Sequence, residues 1–250
     1  MAAPNYTIGI FFGIDQADKD SFGAGLHQAA EAARMGGVFY GDNLFTFGRN
    51  LSFLGDTPFF DAVRKHAETR VEKSLIWRHA VLAWAARQGM RLNGDFVECA
   101  CYKGTSARIL CDTLDFGKSG KTYWLYDLFE HDEGMAHHAM PEHGDGLYEQ
   151  VKTRFADLAN VRITRGAVPA VLHDAAPEKI AFMHLDLNNA DAEIGALELL
   201  FDRMLPGAVL VLDDYGWLNY RAQKQAEDAW FAQRGYHVLE LPTGQGLLIK

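Results

Sequence analysis

From Gly94 to the C-terminus, short apolar runs alternate with amphipathic stretches, and this alternation most narrows what the chain can fold into. Strands are predicted at Phe96–Ala100, Thr122–Asp127, Val161–Thr164, Ile180–Asp186, Ala208–Asp213, Tyr236–Leu241 and Gly246–Ile249, with helices near 105–116, 145–158, 190–203 and 220–234. A strand that follows a helix usually returns parallel to the one before it. The pattern therefore predicts an α/β domain with a parallel sheet covered on both faces. Only Pro242-Thr243-Gly244-Gln245 separates the last two strands, which predicts an antiparallel hairpin at the sheet edge.

The upstream third reads differently. Val63, Ala67, Val71, Leu75, Leu82 and Ala85 recur mostly at three- and four-residue steps from Phe60 to about Gln88, predicting one helix that ends near Gly89. Its polar face carries Arg64, Lys65, Glu68 and Glu72, and such a face is solvated; no nucleic-acid meaning attaches to its basic residues or to Arg70, Lys73 and Arg78. In residues 1–60, aromatic side chains are interleaved with glycines, and only Phe22–Met35 reads as a helix. The rest is expected either to form an aromatic flap over a pocket, or to fill a groove or a contact with a second copy. A homo-oligomer stays open. The expected division is an N-terminal helical and aromatic extension, 1–90, and a main domain, 91–250.

The chain of 250 residues carries 33 acidic and 24 basic side chains, a net charge of −9. That balance argues against nucleic acid and anionic membrane surfaces and favours a small-molecule partner. No apolar run approaches ~20 residues. The apolar segment Ile8–Ile14 is short and follows no Lys or Arg, so it does not read as a signal peptide, and a cytoplasmic location is expected. Cys99, Cys101 and Cys111 read as reduced core thiols, with no ligand spacing nearby for zinc.

Within this frame the stretch Gly94 to Arg108 is the most informative. A buried strand runs into a turn with Gly104 and a helix opened by Thr105 or Ser106, residues common at caps. Backbone N–H groups are expected to point outward there, Gly104 to admit a ligand close to the main chain, and Glu98 to accept hydrogen bonds from ribose hydroxyls or an ammonium. A pyrophosphate binder would want G-x-G-x-x-G, and this loop has one glycine and a carboxylate. A cationic, phosphate-free cofactor fits better, and S-adenosylmethionine carries both a sulfonium and an ammonium. Other strands also end in acids. Asp127 comes a little over ~20 residues after Gly104, the offset at which an acid meets ribose hydroxyls. Asp186, Asp213 and Asp214 close two further strands, where three carboxylates suit one magnesium ion.

Glu98-x-Ala100-x-Tyr102-x-Gly104-x-Ser106 resembles the E-x-G-x-x-x-G-x-S motif of S-adenosylmethionine-dependent O-methyltransferases, and "GDFVECACYKGTSA" resembles the macrocin O-methyltransferase family in particular. Ala100 replaces the family's glycine. "YDLFE" is similar to the family's D-S-F-E-G, "HLDLNNAD" to D-x-D-x-Y-E-S, and "PGAVLVLDDYGW" to G-G-x-x-x-x-D-D-Y-G, so the resemblance covers roughly residues 92 to 220. Leu128 replaces the family's serine, Asn188 a second aspartate and Ala190 a tyrosine.

The resemblance implies a Rossmann-like, seven-stranded, mostly parallel sheet with a terminal antiparallel hairpin. It implies a cofactor site of Glu98, Ala100, Tyr102, Gly104, Thr105, Ser106, Asp127, Gly166, Ala167 and Asp186, and a magnesium site of Asp186, Asp213 and Asp214. The expected reaction moves a methyl group to a metal-chelated hydroxyl of a small-molecule acceptor, a sugar in a glycosylated natural product or a nucleotide sugar. Candidates for the general base are His184, Asp191 and a histidine of the loop 128–146. The distantly related catechol O-methyltransferases place a lysine where Asn189 stands. That loop, with His131, His137, His138 and His143, reads as a substrate lid, a solvated loop or, on weaker spacing, a zinc or iron site. Competing readings are a catechol- or phenol-type O-methyltransferase, an NAD-dependent oxidoreductase, disfavoured by the missing glycines, and a binding module that keeps the cofactor fold without turnover.

Overall fold

The computed structural model describes residues 4–131 and 139–250. The chain divides into two compact units, Met1–Ala80 and Val81–Lys250, which meet inside one helix.

The first unit holds a three-stranded sheet that the sequence did not announce: β1 (Tyr6–Thr7) pairs parallel with β2 (Phe39–Gly41), which pairs antiparallel with β3 (Leu44–Thr46). The β2–β3 turn is made by Asp42 and Asn43 at φ 50° and 55°, left-handed values that these two residue types tolerate best after glycine. Helix α1 spans Lys19–Ala32. The single helix expected from 60 to 88 is instead three: α2 (Thr57–His66), α3 (Arg70–Ser74) and α4 (Ile76–Gly89). The break has a local cause. Thr69 and Glu72 form a capping box, Glu72 N–H to Thr69 Oγ1 at 3.1 Å and Thr69 N–H to Glu72 Oε2 at 2.8 Å, which starts a new helix after the extended Ala67. Several of the aromatics pack on one another within this unit, with Trp77 edge-on to Phe39 at 4.9 Å and tilted on Phe53 at 5.3 Å.

The second unit is the α/β domain. Its strands are β4 (Asp95–Cys99), β5 (Tyr123–Asp127), β6 (Val161–Arg165), β7 (Ile180–Leu185), β8 (Met204–Leu212), β9 (Leu239–Glu240) and β10 (Gly246–Ile249), in the order β6-β5-β4-β7-β8-β10-β9. The first five are parallel, and β10 runs antiparallel to both β8 and β9. This is the seven-stranded Rossmann-like sheet with a terminal hairpin. Helices α5 (Thr105–Leu114), α6 (Leu147–Arg154), α7 (Ala190–Leu200) and α8 (Arg221–Ala232) follow β4, β5, β7 and β8. β7 is buried along its whole length, as a central strand covered on both faces must be. Cys99, Cys101 and Cys111 are buried free thiols. Among the described residues, no helix is long and apolar enough to cross a membrane.

Candidate functional site

In open sheets of this kind ligands sit beyond the carboxyl ends of the parallel strands, and β4 and β7 are neighbours at the point where the strand order turns. After β4 the chain makes a loop in which every second residue is left-handed: Ala100 at φ 66°, Tyr102 at 48° and Gly104 at 71°. The glycine of the resembled motif thus corresponds to a position that needs positive φ. Alanine holds it here at a cost of about 1–2 kcal/mol.

Three expectations about this loop are corrected. Its N–H groups do not point outward as a free anion cradle: those of Ala100 and Cys101 donate to Tyr126 O, that of Tyr102 to Asp127 Oδ2 at 2.6 Å, and that of Gly104 to Cys101 O at 2.7 Å. Gly104 is required by packing, because a Cβ there would lie 2.7 Å from the Phe155 ring. Gly104 is also the N-cap position, so Thr105 and Ser106 are the first two helical residues rather than the cap. Asp127 is buried, with Oδ1 accepting the Phe129 N–H at 2.6 Å, so it ties the β4 loop to the β5 loop. Gly166 and Ala167 follow β6; Gly166 donates its N–H to Asp127 O, and a Cβ on it would meet Val171 at 2.9 Å.

Residues 140–143 lie against the same loop. Glu142 bonds the Tyr102 hydroxyl and pairs with Lys103 at 3.3 Å, while His143 packs edge-on to Tyr102 at 5.4 Å and parallel to His131 at 6.3 Å. His137 and His138 lie outside the described residues.

A polar row crosses the sheet beneath the strand ends. Tyr123 on β5 donates its hydroxyl to Glu98 Oε2 at 2.6 Å, Glu98 Oε1 faces His184 Nδ1 at 3.6 Å, and His184 Nε2 faces Asp213 Oδ1 at 3.5 Å. Gln245 Nε2 then donates to Asp213 Oδ1 at 2.8 Å, and Thr243 donates to Gln245 at 3.0 Å. All six side chains are buried. Burial alone would lower the His184 pKa, but the carboxylates of Asp213 and Glu98 outweigh it and hold the pKa well above the ordinary histidine value. The protonated form of His184 is thus favoured more than in an ordinary histidine, and Glu98 faces sideways within the sheet.

Asp186 stands one residue past β7 and Asp213 one past β8. Ligand atoms of His184, Asp186 and Asp213 all lie within 4.8 Å of one another, close enough to share one cation. The two carboxylates are the donors that suit a hard cation, with Asp214 the next residue along and the His184 ring nitrogens facing Glu98 and Asp213. Asp191 is exposed in the first turn of α7.

Sequence reasoning missed Glu193. It is fully buried on α7, and its Oε1 accepts the Leu187 N–H at 2.8 Å. Its spacing to Ala196, Leu197 and Leu200, the apolar face of the helix, is the signal that would have found it. Burial raises its pKa to about 8, against the Leu187 hydrogen bond and the His184 charge. Glu227 on α8 is likewise buried and pushed up to about 9 by burial and by Glu193.

The architecture is that of known methyltransferases. The O-methyltransferase NovP superposes with a TM-score of 0.60 at 19% identity over 71% of this chain and 81% of that one. The calicheamicin methyltransferase CalS11 gives 0.55 at 14% over 95% of each chain. A putative caffeoyl-CoA O-methyltransferase from Staphylococcus aureus gives 0.53 at 12% over 79% and 99%. At these identities the likeness is one of fold. In sequence, residues 97–215 match the family model described as a methyltransferase domain, from β4 through the Asp213-Asp214 turn. No curated protein matches the chain.

Proposed function

We propose that this protein is an S-adenosylmethionine-dependent O-methyltransferase that acts, with magnesium, on a hydroxyl beside a second oxygen, in a sugar of a glycosylated natural product or a nucleotide sugar. The observation that carries the reading is the convergence of Asp186 and Asp213 at the carboxyl ends of β7 and β8, next to the left-handed loop after β4. The domain match supports the methyl-transfer chemistry. A loop whose N–H groups bond its own chain suits a phosphate-free cofactor better than a pyrophosphate. The sugar acceptor draws support from CalS11, described as a TDP-rhamnose 3′-O-methyltransferase, whose apo structure shares the fold with a TM-score of 0.54 at 14% identity.

In this reading Asp186, Asp213 and Asp214 hold the metal, and residues 98–106, Asp127, Gly166 and Ala167 frame the cofactor. Magnesium, when bound, lowers the pKa of the acceptor hydroxyl and orients it. The hydroxyl oxygen forms a bond to the methyl carbon as the carbon–sulfur bond breaks, S-adenosylhomocysteine leaves, and the hydroxyl proton departs to a base. His184, between the two carboxylates, keeps Glu98 and Asp213 in place; the exposed Asp191 carboxylate or solvent takes the proton.

The test is a methylation assay with a nucleotide-linked sugar carrying a vicinal diol, its deoxy analogue, EDTA and restored magnesium. Turnover of the diol only, lost in EDTA and regained with magnesium, is expected. Full activity in EDTA would remove the metal, equal rates for the two sugars would remove chelation, and no binding of S-adenosylhomocysteine at millimolar concentration would remove the cofactor.

A further inference from the structure

We infer that Glu193 is a positioning residue for Asp186, holding the main chain of Leu187 and so fixing the direction in which the aspartate leaves β7. The inference rests on the metal-site reading above. Past β7 the chain must turn within a few residues from the strand into α7. Asp186 is tied at its N–H to Cys99 O at 3.1 Å, and Asn189 is tied as the N-cap of α7, its Oδ1 accepting the Ala192 N–H at 2.9 Å. Between these anchors lie Leu187 and Asn188, and Asn188 is left-handed at φ 56°. Asparagine tolerates that conformation, so the turn stays tight without strain and its direction depends on how its main chain is held. The tie inside that gap is the hydrogen bond from Leu187 N–H to Glu193 Oε1 at 2.8 Å.

A position chosen for packing alone would be apolar, as Leu197 and Leu200 are on the same face of α7. Glu193 is fully buried and its second oxygen, Oε2, has no hydrogen bond among the described residues, so the carboxyl group is costly to bury there. The group earns its place through Oε1 alone. Side chains that orient a metal ligand from behind in this way typically change metal affinity 10–100-fold on removal.

Two substitutions separate positioning from general stability. Glu193→Gln keeps a carbonyl oxygen for Leu187, and Glu193→Leu removes the acceptor while filling the space. On the full chain, manganese as a magnesium surrogate and S-adenosylhomocysteine are each titrated calorimetrically, and exchange of the Leu187 amide proton is followed by NMR. Wild type and Glu193→Gln should bind manganese alike; Glu193→Leu should lose about 10–100-fold in manganese affinity, exchange its Leu187 proton faster and keep its S-adenosylhomocysteine affinity. Glu193→Ala gives the same comparison if the leucine variant does not fold. Wild-type manganese affinity in the acceptor-less variants, an equal loss in Glu193→Gln, or a parallel loss of manganese and S-adenosylhomocysteine would each overturn the inference. Failure of the wild-type chain to bind manganese would instead overturn the metal-site reading, and the inference with it.

Discussion

At the scale of residues, His184 decides the electrostatics beneath the site. It lies between two buried carboxylates, so removing it leaves Glu98 and Asp213 facing each other without a cation. Breaking a buried pair in this way costs about 3–5 kcal/mol. Because its folded pKa is raised above the ordinary value of 6.5, the stabilisation is full below that value and fades as pH rises through the folded pKa. His184→Gln should therefore lower the melting temperature most near pH 6, with a deficit that narrows toward alkaline pH; a constant deficit would mean that His184 is neutral in the fold. The strand-end acids were legible in the sequence, because an apolar run followed by Asp marks a strand edge. Which of them face inward was not. Glu98 meets Tyr123 and His184 only through the strand order, a long-range fact that no local pattern carries.

Among the elements, α7 and α8 pack with Glu193 and Glu227 buried on them, and burial pushes both carboxyl groups above the ordinary glutamate value. Glu193 also feels His184, Asp213 and Asp214, and Glu227 feels Asp228 and Lys224. A carboxyl whose folded pKa rises from 4.5 to about 9 favours folding below 4.5 and loses that advantage progressively up to about 9. Glu227→Gln, neutral at every pH, should raise the melting temperature more at pH 9 than at pH 5, and an equal shift at both would show that Glu227 is not titrating in the fold. The alternation of β4 to β8 with helices was readable because periods of two and 3.6 differ over such lengths. The break between α2 and α3 was readable too, in the Thr69-x-x-Glu72 signature, but the apolar spacing ran on across it. The short strands β2 and β3 escaped notice because three-residue strands are too brief for any period to register.

At the scale of the whole molecule, the chain divides into two compact units. In the first, Arg78 Nε and Nη2 donate to the two oxygens of Asp42 at 2.7 and 3.0 Å, a buried fork that pins the β2–β3 turn to α4. Asp42→Ala removes both acceptors of this buried fork and should destabilise the fold by about 1–3 kcal/mol, read as an earlier urea midpoint in tryptophan fluorescence; an unshifted midpoint would show the pair to be dispensable. In the second, the polar row from Tyr123 to Thr243 has a consequence for assembly. Side chains alternate between the faces of a strand, so a slip of one residue in β4, β5 or β7 would turn one member of the row away and leave its neighbour's charge or hydroxyl against hydrocarbon. The row thereby acts as a parity check on the sheet, rejecting odd misalignments that an apolar core alone, tolerant of one aliphatic side chain for another, would let pass.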